Sequence, residues 1–388
     1  MKTFYSRVLG GKSGAAGLVV MAALLLLVLP LSLDIFRLNL VGKYLTYGFV
    51  GLGLVLLWGK AGVLSLGQGV FFGLGGYCMA MFLKLEASDP ISTKIQSTPG
   101  IPDFMDWNQL TALPAFWVPF KSFPFAAVAV FVVPALLAFF IGLAMFKRRV
   151  GGVYFAVITQ AIALIVSLGI DGNQGYTGGR NGITDLRTLL GYDIRSEHAQ
   201  YVFYFMTCGL LLGVILLLQW MLSGKMGKIL LAMRDREDRV RFSGYDVAGY
   251  KIFIFSLAAA LSGLGGAMFV LQVGFISPSL VGIVPSIEMV IFAAVGGKLS
   301  LFGAVYGALL VNTGKSLFSE NFPQLWLFLM GGLFIAVVVL FPNGLAGIWN
   351  TWRDKIAGIF KKPKALPPAP VPASADLVTL ATEQEKTP

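Results

Sequence analysis

Long apolar segments alternate with short polar connections over most of the chain. Many of these segments approach the roughly 20 apolar residues that an α-helix needs to cross the hydrocarbon core of a bilayer. The short alternating segments of a transmembrane β-barrel are absent from the sequence. The pattern therefore predicts an all-α, polytopic integral membrane protein with about ten transmembrane segments. The predicted segments are 15–33, 44–58, 61–83, 123–146, 150–170, 201–222, 252–271, two segments within 287–318, and 325–341.

The apolar run 287–318 is too long for a single span. Gly296-Gly297-Lys298 interrupts it, and we expect the chain to turn there and to cross the membrane again from about Leu301. The turn resembles the one at Gly59-Lys60, because a Leu-Ser-Leu sequence follows both, and this hints at an internal duplication. With the run split in two, ten segments place the N- and C-termini on the same side of the membrane.

Positive charges set the predicted orientation. Lys and Arg are enriched in the cytoplasmic loops of membrane proteins, and they cluster here at 147–149, within 225–251, and at 353–364. We therefore expect cytoplasmic N- and C-termini, and extracytoplasmic loops at 84–121 and 171–200. The net charge of +11 follows from this asymmetry, and no aromatic-lined basic groove indicates binding to nucleic acid.

Composition supports the same class. The chain is 56% hydrophobic and only 13% charged, which leaves too little polar surface to enclose a water-soluble core. Residues 1–348 are predicted to form the transmembrane permease domain, and 349–388, basic and rich in Pro and Ala, a disordered cytoplasmic tail. The basic start followed by the apolar run 15–33 also suits a secretory signal. The length of that run and the lack of a small-residue cleavage site before Asp34 favour an uncleaved first helix.

The segment 227–250 interrupts the apolar pattern. Eight positions within it, 234–241, hold four arginines, three acids and one valine. We expect a cytoplasmic loop at 223–251 that contains an amphipathic helix, in which oppositely charged residues four apart each add about 0.3–0.5 kcal/mol of stability. The expected pairs are Arg234 with Asp238, Asp235 with Arg239, and Glu237 with Arg241.

The other side of this predicted helix is apolar, with Ile229, Leu230 and Met233. That side would fit a groove on a partner protein, and Gly244 is placed to end the helix. From the residues alone, a solvated loop held against lipid headgroups is an equally good interpretation. The candidate contact residues are Arg234, Asp235, Arg236, Glu237, Asp238, Arg239 and Gly244.

A few polar side chains lie inside predicted spans, where each must find a partner or a substrate. The candidates for a substrate pathway are Gln68, Tyr154, Thr159 and Gln160. Hydrogen bonding between helices is the alternative role for each of them. Small residues also recur every four positions in two predicted helices, where they favour close packing. They are Ala61, Ser65, Gly69 and Gly73 in one helix, and Ala258, Ser262 and Gly266 in the other.

Candidate catalytic chemistry is sparse. The single histidine, His198, stands in a polar loop, no span holds an acidic pair, and Cys78 and Cys208 lie in apolar segments, so neither an enzyme nor a metal site is expected. Gly-Lys-Ser occurs twice without the preceding glycine that a nucleotide-binding loop requires. Glu288 enters a span only near its end, which argues against ion coupling. A transport protein that receives its energy from a separate protein is therefore favoured over a stand-alone channel or secondary transporter.

Several motifs resemble one family in both residues and order. They are the charged core with Gly244-Tyr245 and Tyr250-Lys251, the run from Ser262 to Ala267, Leu64-Ser65-Leu66-Gly67-Gln68-Gly69, Thr177-Gly178-Gly179 with Asn181-Gly182-Ile183, and Phe341-Pro342-Asn343-Gly344-Leu345-Ala346-Gly347. From Val41 to Ile348 the chain resembles the permeases of ATP-binding-cassette (ABC) importers of the branched-chain amino acid type. The resemblance implies a bacterial inner membrane, a second, homologous permease chain, two cytoplasmic ATPases and a periplasmic substrate-binding protein. It implies no cofactor in this chain, with ATP and Mg²⁺ on the ATPases.

Within this family, the stretches Gly152 to Phe155, Ile158 to Ala161 and Asn181 to Asp185 look more similar to urea-type permeases. Neutral urea needs amide and hydroxyl partners, which the polar residues of the spans could supply, whereas a zwitterionic amino acid favours charged groups. We therefore expect urea or a related amide as the substrate, with branched-chain amino acids as the second choice. The expected mechanism is alternating access, driven by movement of the charged segment.

Overall fold

The computed structural model describes residues 11–94, 96–322, 325–340 and 344–347, and almost all of the regular structure in these ranges is helical. The chain divides into two units, Met1–Gly347 and Ile348–Pro388. The predicted tail at 349–388 lies outside the described residues. The helices are α1 (Gly11–Ala23), α2 (Leu29–Ser32), α3 (Ile35–Leu54), α4 (Gln68–Ala87), α5 (Asp103–Trp107), α6 (Phe123–Phe146), α7 (Gly152–Gly172), α8 (Gln174–Thr177), α9 (Glu197–Ser223), α10 (Lys225–Asp235), α11 (Glu237–Phe242), α12 (Val247–Val273), α13 (Ile283–Gly296), α14 (Leu301–Asn321) and α15 (Trp326–Leu340).

Shorter elements complete the described structure. A π-helical turn, Leu24–Val28, joins α1 to α2, and a second, Val55–Lys60, extends α3. Strands β1 (Thr188–Leu189) and β2 (Tyr192–Asp193) form a small antiparallel hairpin in a loop. Single turns of 3₁₀-helix occur at Val118–Lys121, Gly179–Asn181 and Pro278–Leu280.

Seven of the described helical segments are long and apolar enough to cross a membrane. They are Gly14–Ser32, Ile35–Lys60, Gln68–Ala87, Phe123–Phe146, Gly152–Gly172, Glu197–Ser223 and Val247–Val273. Helices α13 and α14 together are also long and apolar enough to cross, although the chain bends by 120° between them. The prediction of a mostly helical, multi-pass protein is confirmed, while the number of about ten spans and the cytoplasmic termini stay predictions.

The predicted turn at Gly296-Gly297-Lys298 is present. Gly297 has a φ of 117°, a conformation that favours glycine, and Ser300 caps the helix that follows. This turn lies against the one that ends the second span, because Lys60 Nζ donates to the carbonyl oxygen of Leu299 at 3.1 Å. The two similar turns therefore meet at one end of the helices, and their origin by duplication stays a hypothesis.

The third predicted span begins later than expected. Residues 61–67 are not helical, and α4 starts at Gln68. Gly62 has a φ of 74°, which is incompatible with continuing the preceding helix. The predicted strip of small residues along one helix is therefore wrong for Ala61 and Ser65, which precede α4, whereas the glycines at 69 and 73 do lie on it.

Helix α12 is enclosed by α3, α4 and α6, and small residues allow the close approach. A Cβ atom on Gly266 would overlap the carbonyl oxygen of Phe72 in α4. Ala258 and Ser262, on the same helix, are fully buried, and Gly53 of α3 lies against Ala258. Backbones can approach this closely in a membrane only where side chains are small.

Different loops lie at the two ends of the helices. At one end, the guanidinium of Arg234 donates to the carbonyl oxygen of Gly59 at 3.1 Å, so the charged segment and the basic turns lie together. At the other end, Lys84 pairs with Asp103 at 3.0 Å and donates to the carbonyl oxygen of Thr184 at 3.0 Å. Both predicted extracytoplasmic loops therefore meet opposite the charged segment. We call the end with the charged segment the inner end and the opposite end the outer end.

Candidate functional site

The charged segment at the inner end forms two helices. Helix α10 ends at Asp235 and α11 begins at Glu237, and Arg236 between them has φ −151° and ψ 85°, outside the helical region. Helix α11 ends at Phe242, and Gly244, with a φ of 86°, follows its last turn. The glycine stands where a helix end was expected, but the prediction of one continuous helix is wrong.

The interruption of the helix at Arg236 changes the ion pairs. Of the three pairs expected four residues apart, only Glu237 with Arg241 forms among the described residues, at 2.9 Å. The other two would cross Arg236, where the helical spacing is lost. Arg234 pairs instead with its neighbour Asp235 at 3.0 Å. These side chains are partly exposed, so each pair contributes about 1 kcal/mol or less.

Two contacts tie the charged segment to the spans. Arg234 binds the carbonyl oxygen of Gly59, at the end of the second span. Lys251, near the start of α12, donates to the carboxylate of Glu237 at 2.6 Å, and a groove of about 270 Å³ beside this pair is lined in part by Arg149. Because both tethers end on spans, a displacement of α10 and α11 would reach α3 and α12 directly.

The apolar side of α10 faces this chain itself. Leu230 and Met233 are buried, and Met233 packs with Val240 and Val247. The expectation that this side fits a partner's groove is wrong, because neighbouring parts of the chain already cover it. The side chain of Phe242 is instead 92% exposed. Sequence reasoning missed this residue, although a large aromatic side chain among charged residues could have indicated it. The polar side chains that are exposed on this segment include Arg236, Asp238 and Arg239.

A second polar region surrounds the start of α4, deep inside the bundle. Gln68 is bonded to Ser262, which lies near the middle of the 27-residue helix α12, so this region is near mid-depth. Just before α4, the backbone N–H of Leu66 donates to the hydroxyl of Thr159 in α7 at 3.0 Å. Irregular backbone at this depth requires such partners, since no lipid group can replace them. We call residues 61–69 the break.

Ser286 of α13 also holds the break and was not among the predicted residues. Its hydroxyl accepts from the backbone N–H of Gly69 at 3.1 Å and donates to the carbonyl oxygen of Gly282 at 2.8 Å. A side chain at Gly69 would press against this hydroxyl, so the close approach requires glycine. The available sequence signal was a serine directly after Pro285 at the head of an apolar run.

Gln68 is fully buried but only partly bonded. Ser262 Oγ lies 2.9 Å from Gln68 Oε1 and 2.9 Å from the carbonyl oxygen of Ala258, although the hydroxyl has a single proton. Gln68 Nε2 has no partner among the described residues. Turning the amide would let Nε2 donate to Ser262 and would leave Oε1 unbonded. One polar atom is thus unsatisfied either way, and a water or a solute is the natural missing partner.

The remaining predicted pathway residues, Tyr154 and Gln160, form no hydrogen bond with the break among the described residues. Tyr154 is 78% exposed near the first turn of α7. Gln160 is half-buried, whereas its neighbour Thr159 is buried. Of the four predicted pathway residues, Gln68 is part of the break and Thr159 is bonded to it.

The outer end is polar and structured. Its loops enclose a cavity of about 480 Å³ that is lined in part by Arg180 and Asn181. Beside it, Arg187 and Arg195 each contact Asp185 at 2.6 Å. The hydrogen bond from Arg187 is the main cause that lowers the pKa of the Asp185 carboxyl below its usual value. These loops therefore place fixed charges at the outer end.

Apolar spans around a buried polar break, with charged helices tied to the ends of the spans, define a multi-pass membrane protein of the transport class. A profile of the family described as "Branched-chain amino acid transport system / permease component" matches residues 36–338. The chain belongs to this family of permease components.

Individual relatives agree with the family. The high-affinity branched-chain amino acid transport system permease protein LivM of Salmonella typhimurium LT2 is 25% identical over 321 residues, which cover 77% of this chain and 67% of the relative. The probable branched-chain amino acid transport permease protein LivM of Methanocaldococcus jannaschii is 23% identical over 320 residues, 77% of this chain and 90% of the relative. The autoinducer 2 import system permease protein LsrC of Yersinia enterocolitica is 28% identical over 186 residues, 45% of this chain and 51% of the relative. No solved structure matches the chain significantly.

The family resemblance is thereby confirmed at the level of ABC permeases. The chain is a permease component of an ABC transporter and a multi-pass inner-membrane protein, and it is not an enzyme. Membership implies partners of two general kinds, an ATPase and a binding protein. The urea-type assignment has no support from these relatives.

Proposed function

We propose that this chain is the membrane-spanning subunit of an ATP-driven importer that moves branched-chain amino acids across the inner membrane by alternating access. The observation that carries the proposal is the double tether of the charged segment, through Arg234 to α3 and through Lys251 to α12. A permease whose energy comes from another subunit needs such a rigid connection at the end where that subunit binds.

The proposal reverses the order of the two candidate substrates. Urea was preferred for a pathway of amide and hydroxyl groups alone. The relatives that match most of the chain are named for branched-chain amino acids, and Glu288 and Lys315 form an ion pair within apolar helices. A zwitterionic solute favours such charged groups, so branched-chain amino acids become the first choice.

The proposed assembly has four kinds of component. A second, homologous permease chain would complete the path, two ATPases holding ATP and Mg²⁺ would bind the charged segment, and a periplasmic binding protein would deliver solute to the outer end. The exposed apolar side chains of α6 and α7, such as Phe140 and Ile165, suit contacts with lipid and with the second permease chain.

In the proposed mechanism, closure of the ATPases displaces α10 and α11. Arg234 passes this displacement to the end of the second span, and Lys251 passes it to α12. Because α12 packs on α3, α4 and α6, its tilt moves the walls of the break. The unsatisfied amide of Gln68 then meets the solute, Thr159 holds the backbone in place, and Tyr154 and Gln160 lie outside this proposed path.

Transport by proteoliposomes tests the proposal. The assembled importer should take up radiolabelled leucine only with ATP inside and binding protein outside, and excess leucine should compete where excess urea does not. Solute flux by this chain alone, without ATP, would identify a channel or secondary transporter and would contradict the proposal. Competition by urea but not by leucine would restore the urea-type assignment.

A further inference from the structure

Three charged side chains lie inside apolar helices, away from the charged segment. Lys315 of α14 donates to both carboxylate oxygens of Glu288 in α13, at 2.8 and 2.7 Å. The ammonium group of Lys43 in α3 lies 5.9 Å from the centre of the Phe269 ring. Tyr44, the residue after Lys43, is hydrogen-bonded to Ser316, the residue after Lys315, so α3 and α14 are in contact beside the two lysines. We call Lys43, Glu288 and Lys315 the intramembrane cluster.

The cluster is well inside the spans, and Lys43 lies toward the outer end. About 25 Å of helix separate Lys43 from Lys60 at the inner end. Gly42 packs against the side chain of Gln272, which follows Ser262 by ten residues along α12. Lys43 therefore lies about 15 Å nearer the outer end than Ser262, whereas Glu288 follows Ser286, which is bonded to the break, by only two residues. A solute entering from outside would reach Lys43 first and the break last.

Lipid is a poor neighbour for this cluster. The side chain of Glu288 is 17% exposed and that of Lys315 is 36% exposed, so both retain an open side. Ionised groups at this depth normally face a water-filled path or another protein and not the hydrocarbon, where they are strongly disfavoured. The open side of the cluster is therefore a surface for a solute or for a partner chain.

The charges in the cluster are unequal. It holds two cations and one carboxylate, and no carboxylate within the part of the chain that the structure describes lies at ion-pair distance from Lys43. An α-amino acid brings both a carboxylate and an ammonium group. Placed here, it would give an alternating row of charges, from Lys43 to the solute carboxylate and from the solute ammonium group to Glu288.

We propose that Lys43, Glu288 and Lys315 form a binding site for a zwitterionic α-amino acid, with Lys43 bound to its carboxylate and Glu288 to its ammonium group. The inference rests on the proposed import function and adds the residues that recognise the substrate. Val284 is 52% exposed and stands one helical turn before Glu288, so an aliphatic side chain has an apolar contact beside the charges. Neutral urea would leave Lys43 without an anion.

The test uses the complete importer in proteoliposomes and radiolabelled leucine. Lys43→Gln should lower leucine uptake at subsaturating concentration by about tenfold to a hundredfold, the effect of losing one hydrogen bond to a charged group. ATP hydrolysis stimulated by the binding protein should persist, because the inner-end tethers are unchanged. Lys43→Arg keeps the charge and should retain much of the uptake.

A second variant removes the concern that a lost ion pair simply unfolds the chain. Exchanging both partners, Glu288→Lys with Lys315→Glu, keeps the pair and the net charge but turns a cation toward the solute ammonium group. The complex should remain assembled and should lose leucine uptake. Arg37→Gln is the matched control, because Arg37 is on the same helix, is 72% exposed and, in the part of the chain that the structure describes, pairs only with Asp34. It should transport as wild type.

The outcomes separate this inference from the function on which it rests. Leucine uptake unchanged in Lys43→Gln and in the exchanged pair would overturn the site and leave the importer intact. Loss of the second permease chain from the purified complex in these variants would also overturn it, because the cluster would then be a subunit contact. Failure of the wild-type importer to transport leucine would overturn the proposed function and the site together.

Discussion

Two regions of the molecule hold polar groups in opposite ways. The charged segment at the inner end carries many charges, but most of its ion pairs are exposed, and among the described residues the bonds of Arg234 and Lys251 are the polar contacts that reach the spans. The break before α4 has few polar groups, none of them charged. The hydroxyls that hold it belong to Thr159 and Ser286 of neighbouring helices, and they are buried and accept from backbone N–H groups of the break.

The difference indicates which region moves and which is held. In the charged segment water can replace each pair at little cost, so the segment can shift while its two tethers transmit the shift. At the break no lipid group can replace a lost bond, so the bonds from Thr159 and Ser286 fix the backbone. Loss of a bond or of close packing at the break should therefore lower stability more than loss of an ion pair in the charged segment, whereas the unsatisfied amide of Gln68 should add little to stability. The following predictions test that contrast in order of expected loss of stability.

The largest loss should come from added volume beside the break. Gly266→Leu would force a side chain into the carbonyl group of Phe72 and part α12 from α4. Such overpacking costs about 1–3 kcal/mol, and more where backbone must move. We expect aggregated protein in place of a single size-exclusion peak in detergent. The control is Gly213→Leu, because an added Cβ atom at Gly213 would meet no neighbouring part of the chain within 4 Å, and this variant should elute normally. Equal aggregation of both variants would contradict the close approach of α12 to α4.

Removing a buried hydroxyl should rank second. Thr159→Val leaves the N–H of Leu66 without its acceptor, which costs about 1–3 kcal/mol for a buried group. The temperature of thermal unfolding in detergent should fall, and Thr159→Ser should recover most of it. An unfolding temperature equal to wild type in Thr159→Val would show that the break is not held by this bond.

Removing an exposed ion pair should matter less. Arg241→Gln breaks the bond to Glu237, whose two side chains are 38% and 37% exposed, and we expect a loss below about 1 kcal/mol. The loss should shrink further in high salt, because screening already weakens the pair. A fall in unfolding temperature as large as that of Thr159→Val would remove the contrast between the two regions.

Gln68→Leu should have the smallest effect on stability and a clear effect on transport. Ser262 keeps its bond to the carbonyl oxygen of Ala258, and the change removes an amide with one unsatisfied atom. The unfolding temperature should stay equal or rise, whereas leucine uptake by the full importer should fall. Gln219→Leu, which also removes an amide with an unbonded buried oxygen, should leave uptake unchanged. A destabilised Gln68→Leu with normal uptake would make Gln68 a purely structural residue.

The sequence was sufficient for features that depend on local composition. Hydrophobic length predicted the multi-pass class, and the glycines at 296–297 predicted the turn before α14. The departure of 61–67 from helix was not predictable from its own residues, since Thr159 and Ser286, which hold it, come from distant helices. The same holds for Arg236, because pairs worth a few tenths of a kcal/mol do not keep a helix continuous when Arg234 binds Gly59.

The intramembrane cluster shows the same limit. Glu288 and Lys315 are identifiable as charges within apolar runs, but 27 residues and a sharp turn separate them in the chain. Only the 120° bend between α13 and α14 brings the two side chains together. Lys43, from a third helix, could not be assigned to them by spacing.

The most direct test of the central claim, that the charged segment couples ATP hydrolysis to transport, is the double charge reversal Asp235→Lys with Glu237→Lys. It places cations beside Arg234 and Lys251 and so breaks the tether to α12. In the reconstituted importer, leucine uptake should fall by about tenfold or more while ATP hydrolysis continues. Glu197→Lys with Glu320→Lys, two exposed acids outside the charged segment, should transport as wild type. Uptake equal to wild type in the Asp235 and Glu237 double variant would contradict the account.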